Sequence, residues 1–346
     1  LPERSVNDFN IRGGILYAGV GGRRRGLWDT RRTNFMPRIG AAYQIDAKTV
    51  LRGGFGIFYD SLGVTRSNAD QTGFSRATIL QTTLDSITPR TDAFANPFPS
   101  GLLQPVGNSL GLMTNVGNAI SAPYEESVKT PYGQRISFGL QRRMPLGFVV
   151  EATYAANSGR NLPVSTSFDA LPYQYLSRSM TRDQDTINFL SARFPNPFYG
   201  ILSTSTSMGS STNTTRSQLL RPYAQYTNIT MSRTIGKSWY DSLQVRVDRR
   251  MANGLTINMS YTWSKALQQT AYRDASEPGP EKTYSGGDRP HALQVNGIYE
   301  VPVGKGRRWG RSWNRPADAL LGGWQASLMY RMEAGYPLPI GNVLLQ

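Results

Sequence analysis

Five charged residues, Arg52, Glu151, Arg246, Asp248 and Arg250, stand in stretches whose other members are mostly apolar, small or hydroxylated. In "SLQVRVDRRM" (242–251), Leu243, Val245 and Val247 share one side, and Gln244, Arg246, Asp248 and Arg250 share the other. The same alternation puts Glu151 opposite Phe148, Val150, Ala152 and Tyr154, and Arg52 opposite Leu51, Phe55, Ile57 and Tyr59. A face with charges of both signs must be wet. Its chemistry is recognition: salt bridges to a surface packed beside it, or a lining for the path of a polar solute. Packing is the plainer of the two roles.

Covalent chemistry has little to draw on. Cysteine is absent, which excludes disulfides, thiolate metal sites and cysteine nucleophiles. The single histidine, His291 in "GDRPHAL" (287–293), leaves little for zinc or for a proton relay, and its default role is a local hydrogen bond at a strand head. Serines are many, but a Ser–His pair has only one histidine to draw on. "GVGGRRRG" (19–26) offers glycines but no G-x-x-x-x-G-K-[ST], and reads as a surface turn. The glycines of "GGFG" (53–56) relieve crowding inside a strand. The acidic clusters "RDQD" (182–185) and "EPGPE" (277–281) carry calcium-type oxygen ligands at no recognised loop spacing. The reading is a protein without catalytic, metal or cofactor-binding residues. A net charge of +15 suits nucleic acid, anionic headgroups or an acidic ligand, but the basic residues are scattered and form no basic helix, so nucleic acid is not an expected partner.

The elements that hold the five charges in place are strands. Nine segments alternate at period two: 9–20, 36–45, 49–60, 133–143, 147–157, 239–251, 254–265, 290–302 and 322–333. Their length is close to the roughly nine to eleven residues that a tilted strand needs to cross a bilayer. No apolar run reaches helical membrane-spanning length. Tight turns at "DAK" (46–48), "MPL" (144–146) and "AN" (252–253) make three hairpins, whereas 61–132, 158–238 and 266–289 are long and rich in Asn, Ser, Thr, Pro and Gly. Short turns at one end and long loops at the other are the asymmetry of an outer-membrane barrel. Parity then makes "YTNITMSRTIG" (226–236) external or a strand extension above the membrane, and 303–321 the one longer connection on the short-turn side. Phe58, Tyr59, Phe148, Tyr154, Tyr240, Tyr261, Trp263, Tyr299, Trp324 and Tyr330 read as an interfacial aromatic girdle. A soluble sandwich with the apolar face packed inward is the competing fold, disfavoured by such long loops.

Five blocks carry a resemblance. "NFMPRIGAAYQIDAKTVLRGGFGIFYD" (34–60), "KTPYGQRISFGLQRRMPLGFVVEATYAANSGRNL" (129–162), "SWYDSLQVRVDRRMANGLTINMSYTWSKAL" (238–267), "DRPHALQVNGIYEVPVGKGRRWG" (288–310) and "LLGGWQASLMYRMEAGYPL" (320–338) resemble, in order, the barrel of Oar-like TonB-dependent outer-membrane transporters. These are the carboxypeptidase-regulatory-domain-fused proteins common in Acidobacteria.

The resemblance implies a Gram-negative outer-membrane location, a lipid environment and transport of a bulky substrate of unknown identity. It also implies coupling to the TonB complex through an N-terminal region outside this chain. Family members add a regulatory-like domain and a plug before the barrel and further strands after it, in a roughly 22-stranded wall. On that reading 1–346 is a partial barrel domain, an internal piece of a larger protein, and the five charges line the lumen or meet the plug. A surface structural or adhesive barrel is the alternative.

Overall fold

The computed structural model describes residues 3–6, 9–26, 29–60, 72–78, 80, 82–83, 89–122, 127–203, 206–252 and 254–338. Along the chain come β1 (Glu3–Val6), β2 (Phe9–Arg12), β3 (Arg38–Asp46), β4 (Thr49–Tyr59), β5 (Ala119–Ala122), β6 (Tyr132–Arg143) and β7 (Phe148–Ser167). Then follow α1 (Gln184–Ser191), β8 (Arg193–Pro195), β9 (Asn213–Thr215), α2 (Arg216–Leu219) and β10 (Asn228–Ala252). The chain continues with β11 (Leu255–Gln269), β12 (Thr283–Tyr284), β13 (His291–Glu300), α3 (Arg315–Leu321) and β14 (Gln325–Glu333).

Eight strands form an antiparallel meander in the order β14-β13-β11-β10-β7-β6-β4-β3, with β12 added beside β11 and β5 lying parallel to β10. Chain order is kept across the sheet, as expected when neighbours are joined by hairpins. The outermost strands, β3 and β14, are not paired with each other. The protein is therefore all-β with an open sheet among its described residues, and no described helix is long and apolar enough to cross a membrane.

Three tight connections lie at one end. Asp46 closes the first, accepting from the Lys48 amide at 2.7 Å and the Thr49 hydroxyl at 3.0 Å. The second is a single turn, Pro145–Gly147, with Leu146 and Gly147 at φ 60° and 80°. The third ends on Gly254 at φ 78°, while Asn253, expected in this turn, lies outside the described residues.

The segment 9–20 is not a crossing strand. Residues Phe9–Arg12 pair with Glu3–Val6 in a separate two-stranded sheet, and Gly13 and Gly14 at φ 70° and 157° take the chain out of register directly afterwards. Eight long strands, rather than nine, make the main sheet. The stretch 226–236 is a strand extension: β10 runs unbroken for 25 residues and stays paired with the 20-residue β7 far beyond the segment first read as a crossing.

At the long-loop end the chain is folded, not merely long. Part of 61–132 lies outside the described residues, but 89–122 and the described residues of 168–227 build a cap on the β7–β10 extension. Most of the buried apolar side chains lie in or beside this cap, among them Phe198, Met208, Val116, Val128 and Tyr226. The Gln225 carbonyl accepts from the Gly117 amide at 2.8 Å, and its side chain donates to the Arg12 carbonyl at 2.6 Å. The sheet has almost no buried core, the pattern of a wall whose two faces meet different surroundings.

Candidate functional site

Directly paired residues of antiparallel strands project to the same side of the sheet, so the register defines both faces. One row runs through Tyr43, Leu51, Leu140, Ala152, Val245, Tyr261, Leu293 and Met332. The row one residue over runs through Gln44, Val50, Gln141, Glu151, Arg246, Ser260, Gln294 and Arg331. The first face is mainly apolar and the second mainly polar, although Val50, Val149, Ile298 and Met329 fall on the second. Large apolar side chains on the first remain open, including Phe138, Leu140, Leu243, Leu328 and Met332. From Phe148 to Ala156 the apolar side spans about 26 Å along the strand, or about 20 Å at a 40° tilt, close to the apolar band of a membrane barrel.

The polar face gathers four of the five sequence-picked charges by pairing. Glu151 stands opposite Gln141 on one side and Arg246 on the other. The Thr153 hydroxyl donates to Glu151 at 3.2 Å, and the Arg246 guanidinium meets Asp248 at 2.7 Å. Asn258 also donates to Asp248. Arg52 lies in the next row, between Ala42 and Gly139, whose small size leaves its side chain exposed. Arg250 falls in the irregularity between Arg249 and Ala252, beyond the last regular pair, so pairing does not fix its side.

The register brings in further polar-face residues, Arg135, Gln141, Arg143, Asn296, Arg331 and Glu333, and keeps Gln244 on the side the alternation gives it. Glu333 receives Arg331 and also pairs with Arg289. Counting outward from the hairpin turns would have found them. The same count corrects the girdle. Phe58 pairs with Gly133 and Tyr240 with Asn157 and Ala266, so both lie on the polar face, Phe58 beneath the Arg38 guanidinium at 4.7 Å. Tyr59, Phe148, Tyr154, Tyr261, Trp263, Tyr299 and Tyr330 lie on the apolar face.

The remaining candidates make local contacts. His291 heads β13 and meets the Tyr261 hydroxyl through Nδ1 at 2.8 Å. "GVGGRRRG" is a turn with three glycines at positive φ. Asp183 of the "RDQD" cluster is the N-cap of α1, accepting from the Thr186 amide at 3.0 Å and from the Ser177 hydroxyl at 2.6 Å. Those hydrogen bonds hold its carboxyl down at about 2. Glu277 of "EPGPE" pairs with Arg273 at 2.9 Å. No group of three or more potential metal ligands occurs among the described residues.

In the cap, the Asp169 side chain is buried, accepting from the Tyr223 amide at 2.9 Å with Arg221 3.8 Å away. Burial outweighs both partners and pushes its carboxyl up to about 6.

The family model described as outer membrane beta barrel domain matches residues 3–343. No curated protein gives a significant sequence match. Among solved structures, the chain is similar to the FrpB iron transporter from Neisseria meningitidis at 9% identity and a TM-score of 0.34, covering 77% of this chain and 24% of that one. The ferric-catecholate import receptor Fiu from E. coli K12 gives 10% identity and 0.35, covering 76% and 22%. The outer membrane transporter YddB from Escherichia coli gives 10% identity and 0.33, covering 85% and 32%. The chain thus spans a third or less of the length of these structures.

Proposed function

The chain belongs to the outer membrane β-barrel domain family of the Gram-negative outer membrane, and on that premise we propose that it is part of the wall of an Oar-like TonB-dependent transporter. The apolar face meets lipid, and the polar face, with Arg52, Glu151, Arg246 and Asp248, lines the lumen. Arg250 stands at its short-turn rim. Tight turns face the periplasm, and the folded cap faces outward.

The observation that carries this reading is the division of one continuous eight-strand sheet into an apolar and a charged face, capped at one end only. In lipid the free edges of β3 and β14 would leave backbone groups unpaired, at several kcal/mol per group. Further strands of the same wall therefore pair with them. The cap and a plug select a bulky substrate from outside, and TonB pulls on the plug from the periplasm while the wall stays rigid. The charges on the polar face hold the plug by salt bridges or border the route it opens.

Isolation of the native protein from outer membranes tests this. A transporter co-isolates with TonB after mild crosslinking and is several times heavier than 38.3 kDa. The size of the folded cap favours one second reading, an adhesive surface barrel. That reading predicts no TonB crosslink and loss of cell or matrix attachment when the cap is deleted.

A further inference from the structure

The two ends of the apolar face close differently. Toward the capped end one of its rows mixes signs: Asp241, which takes the Tyr154 hydroxyl at 2.6 Å, stands opposite Lys265 on β11, and Lys265 lies over Tyr284. At the tight-turn end the face closes on arginine. Arg142 follows Leu140 on that side, paired with Thr49 and Val150, and Arg249 follows Val247, paired with Phe148 and Ile257. The Arg249 guanidinium lies over the Phe148 ring at 5.1 Å.

The connections at this end continue the pattern. Residues 46–49, 142–148, 249–255 and 300–325 hold ten Lys and Arg against three Asp and Glu. All three acids are engaged: Asp46 closes its turn, Glu300 pairs with Arg307 at 3.1 Å, and Asp318 accepts from the Lys305 amide at 2.6 Å. Arg308, Arg311 and Arg315 have no carboxylate partner among the described residues. Large apolar groups stand open beside them, with Trp309 at 55%, Leu320 at 73% and Trp324 at 62% exposure.

Arginines free of carboxylates, interleaved with open Trp and Leu and continuous with a lipid-facing band, match the composition of elements that lie in a bilayer interface. We infer that segment 301–324, with Arg142 and Arg249 at the band's edge, binds the headgroups of anionic phospholipids in the periplasmic leaflet. Trp309, Leu320 and Trp324 enter the acyl boundary, and Arg308, Arg311 and Arg315 meet phosphate. This rests on the orientation proposed above, with tight turns toward the periplasm. The occupant is set by charge and by continuity: a zwitterionic lipid gives the excess positive charge no counterpart, and a soluble anion gives the open apolar groups none.

The test uses the full-length protein in detergent, offered equal amounts of phosphatidylglycerol and phosphatidylethanolamine, with retained lipid read by native mass spectrometry. Wild type should hold phosphatidylglycerol preferentially. The triple variant Arg308→Gln, Arg311→Gln, Arg315→Gln should lose at least tenfold of that preference, since about 1 kcal/mol per basic residue near an anionic surface corresponds to about fivefold each. The triple Lys variant should keep it, and rising salt should weaken it in wild type, a readout that needs no variant to fold. Equal retention of both lipids, an unchanged Gln variant, or displacement by millimolar inorganic phosphate would overturn the inference. Orientation is read separately from a cysteine at Ser312, which an impermeant maleimide should reach only after the outer membrane is opened. Labelling in intact cells would instead overturn the orientation, and with it the assignment to the periplasmic leaflet.

Discussion

Arg246 on β10 and Glu151 on β7 stand directly opposite each other on the polar face, and Arg246 also reaches Asp248 two residues along its own strand. One guanidinium thus sits between two carboxylate positions. Arg246→Glu adds a third carboxylate beside Glu151 and Asp248. It should lower wall stability, and combining it with Glu151→Arg should recover part of the loss. The pair is open to water, so the coupling in a double-mutant cycle should be about 0.5–1 kcal/mol. Zero coupling would mean that the two side chains ignore each other.

Val245, flanked by Ala152 and Tyr261 in the middle of the apolar row, gives the sharpest contrast with its neighbour Gln244. Val245→Arg should destabilise folding into vesicles by about 2–4 kcal/mol, the cost of a charge near the bilayer midplane. Gln244→Arg should change it by less than about 0.5 kcal/mol, as for an exposed polar site. Urea titration of refolding in lipid vesicles reads both.

Gly254 opens β11 at φ 78°, and a Cβ there would come within 2.9 Å of the Glu300 carbonyl oxygen. Left-handed backbone costs a non-glycine residue about 1–2 kcal/mol. Gly254→Ala should therefore destabilise the β10–β11 hairpin by at least about that amount, while Gly279→Ala, where a Cβ meets nothing within 4 Å, should be near neutral. Heat-modifiability on gels and vesicle refolding compare the two.

Asp169 makes the cap sensitive to pH. Its carboxyl titrates near 6 in the folded cap and near 3.9 in an unfolded chain, so the folded form holds the proton more tightly. The stabilisation is complete below about pH 4 and is lost as pH rises through about 6, by about 3 kcal/mol in total. Hydrogen-exchange protection across 168–227, corrected for the intrinsic base-catalysed rate, should fall between pH 5 and 7 in wild type. Asp169→Asn should flatten that dependence, because the amide oxygen still accepts from Tyr223 and nothing ionises. A pH response surviving in that variant would assign it elsewhere.

Period-two alternation made the wall legible in the sequence: Val245 and Arg246 already fall on opposite sides there, and the structure adds only the rows that join them to other strands. The hairpins were legible for the same local reason. The cap was not, because it is held by pairs with no periodic signal, such as Gln225 with Arg12, 213 residues apart, and β5 with β10. "RDQD" read as an acidic cluster, although Asp183 followed three residues later by Thr186 is also an N-cap arrangement, and the helix it starts was hidden by its short length. Residues 9–20 passed as a crossing because alternation was counted across Gly13 and Gly14, where the backbone leaves extended geometry. Among the chosen charges, Arg250 stayed ambiguous because a bulge breaks the parity count that located the other four.

The central claim is that the two sides of one strand meet lipid and water, and the cysteine-free chain allows a direct reading. Single cysteines at Val245 and Arg246, in the protein reconstituted in vesicles, should be challenged with a charged, membrane-impermeant maleimide and, once tagged with a fluorophore, with bromine-labelled lipid. The account predicts that the cysteine at 246 reacts with the maleimide and is poorly quenched, and that the cysteine at 245 resists the maleimide and is strongly quenched. Equal water access at both positions, or quenching at 246 instead of 245, would contradict it.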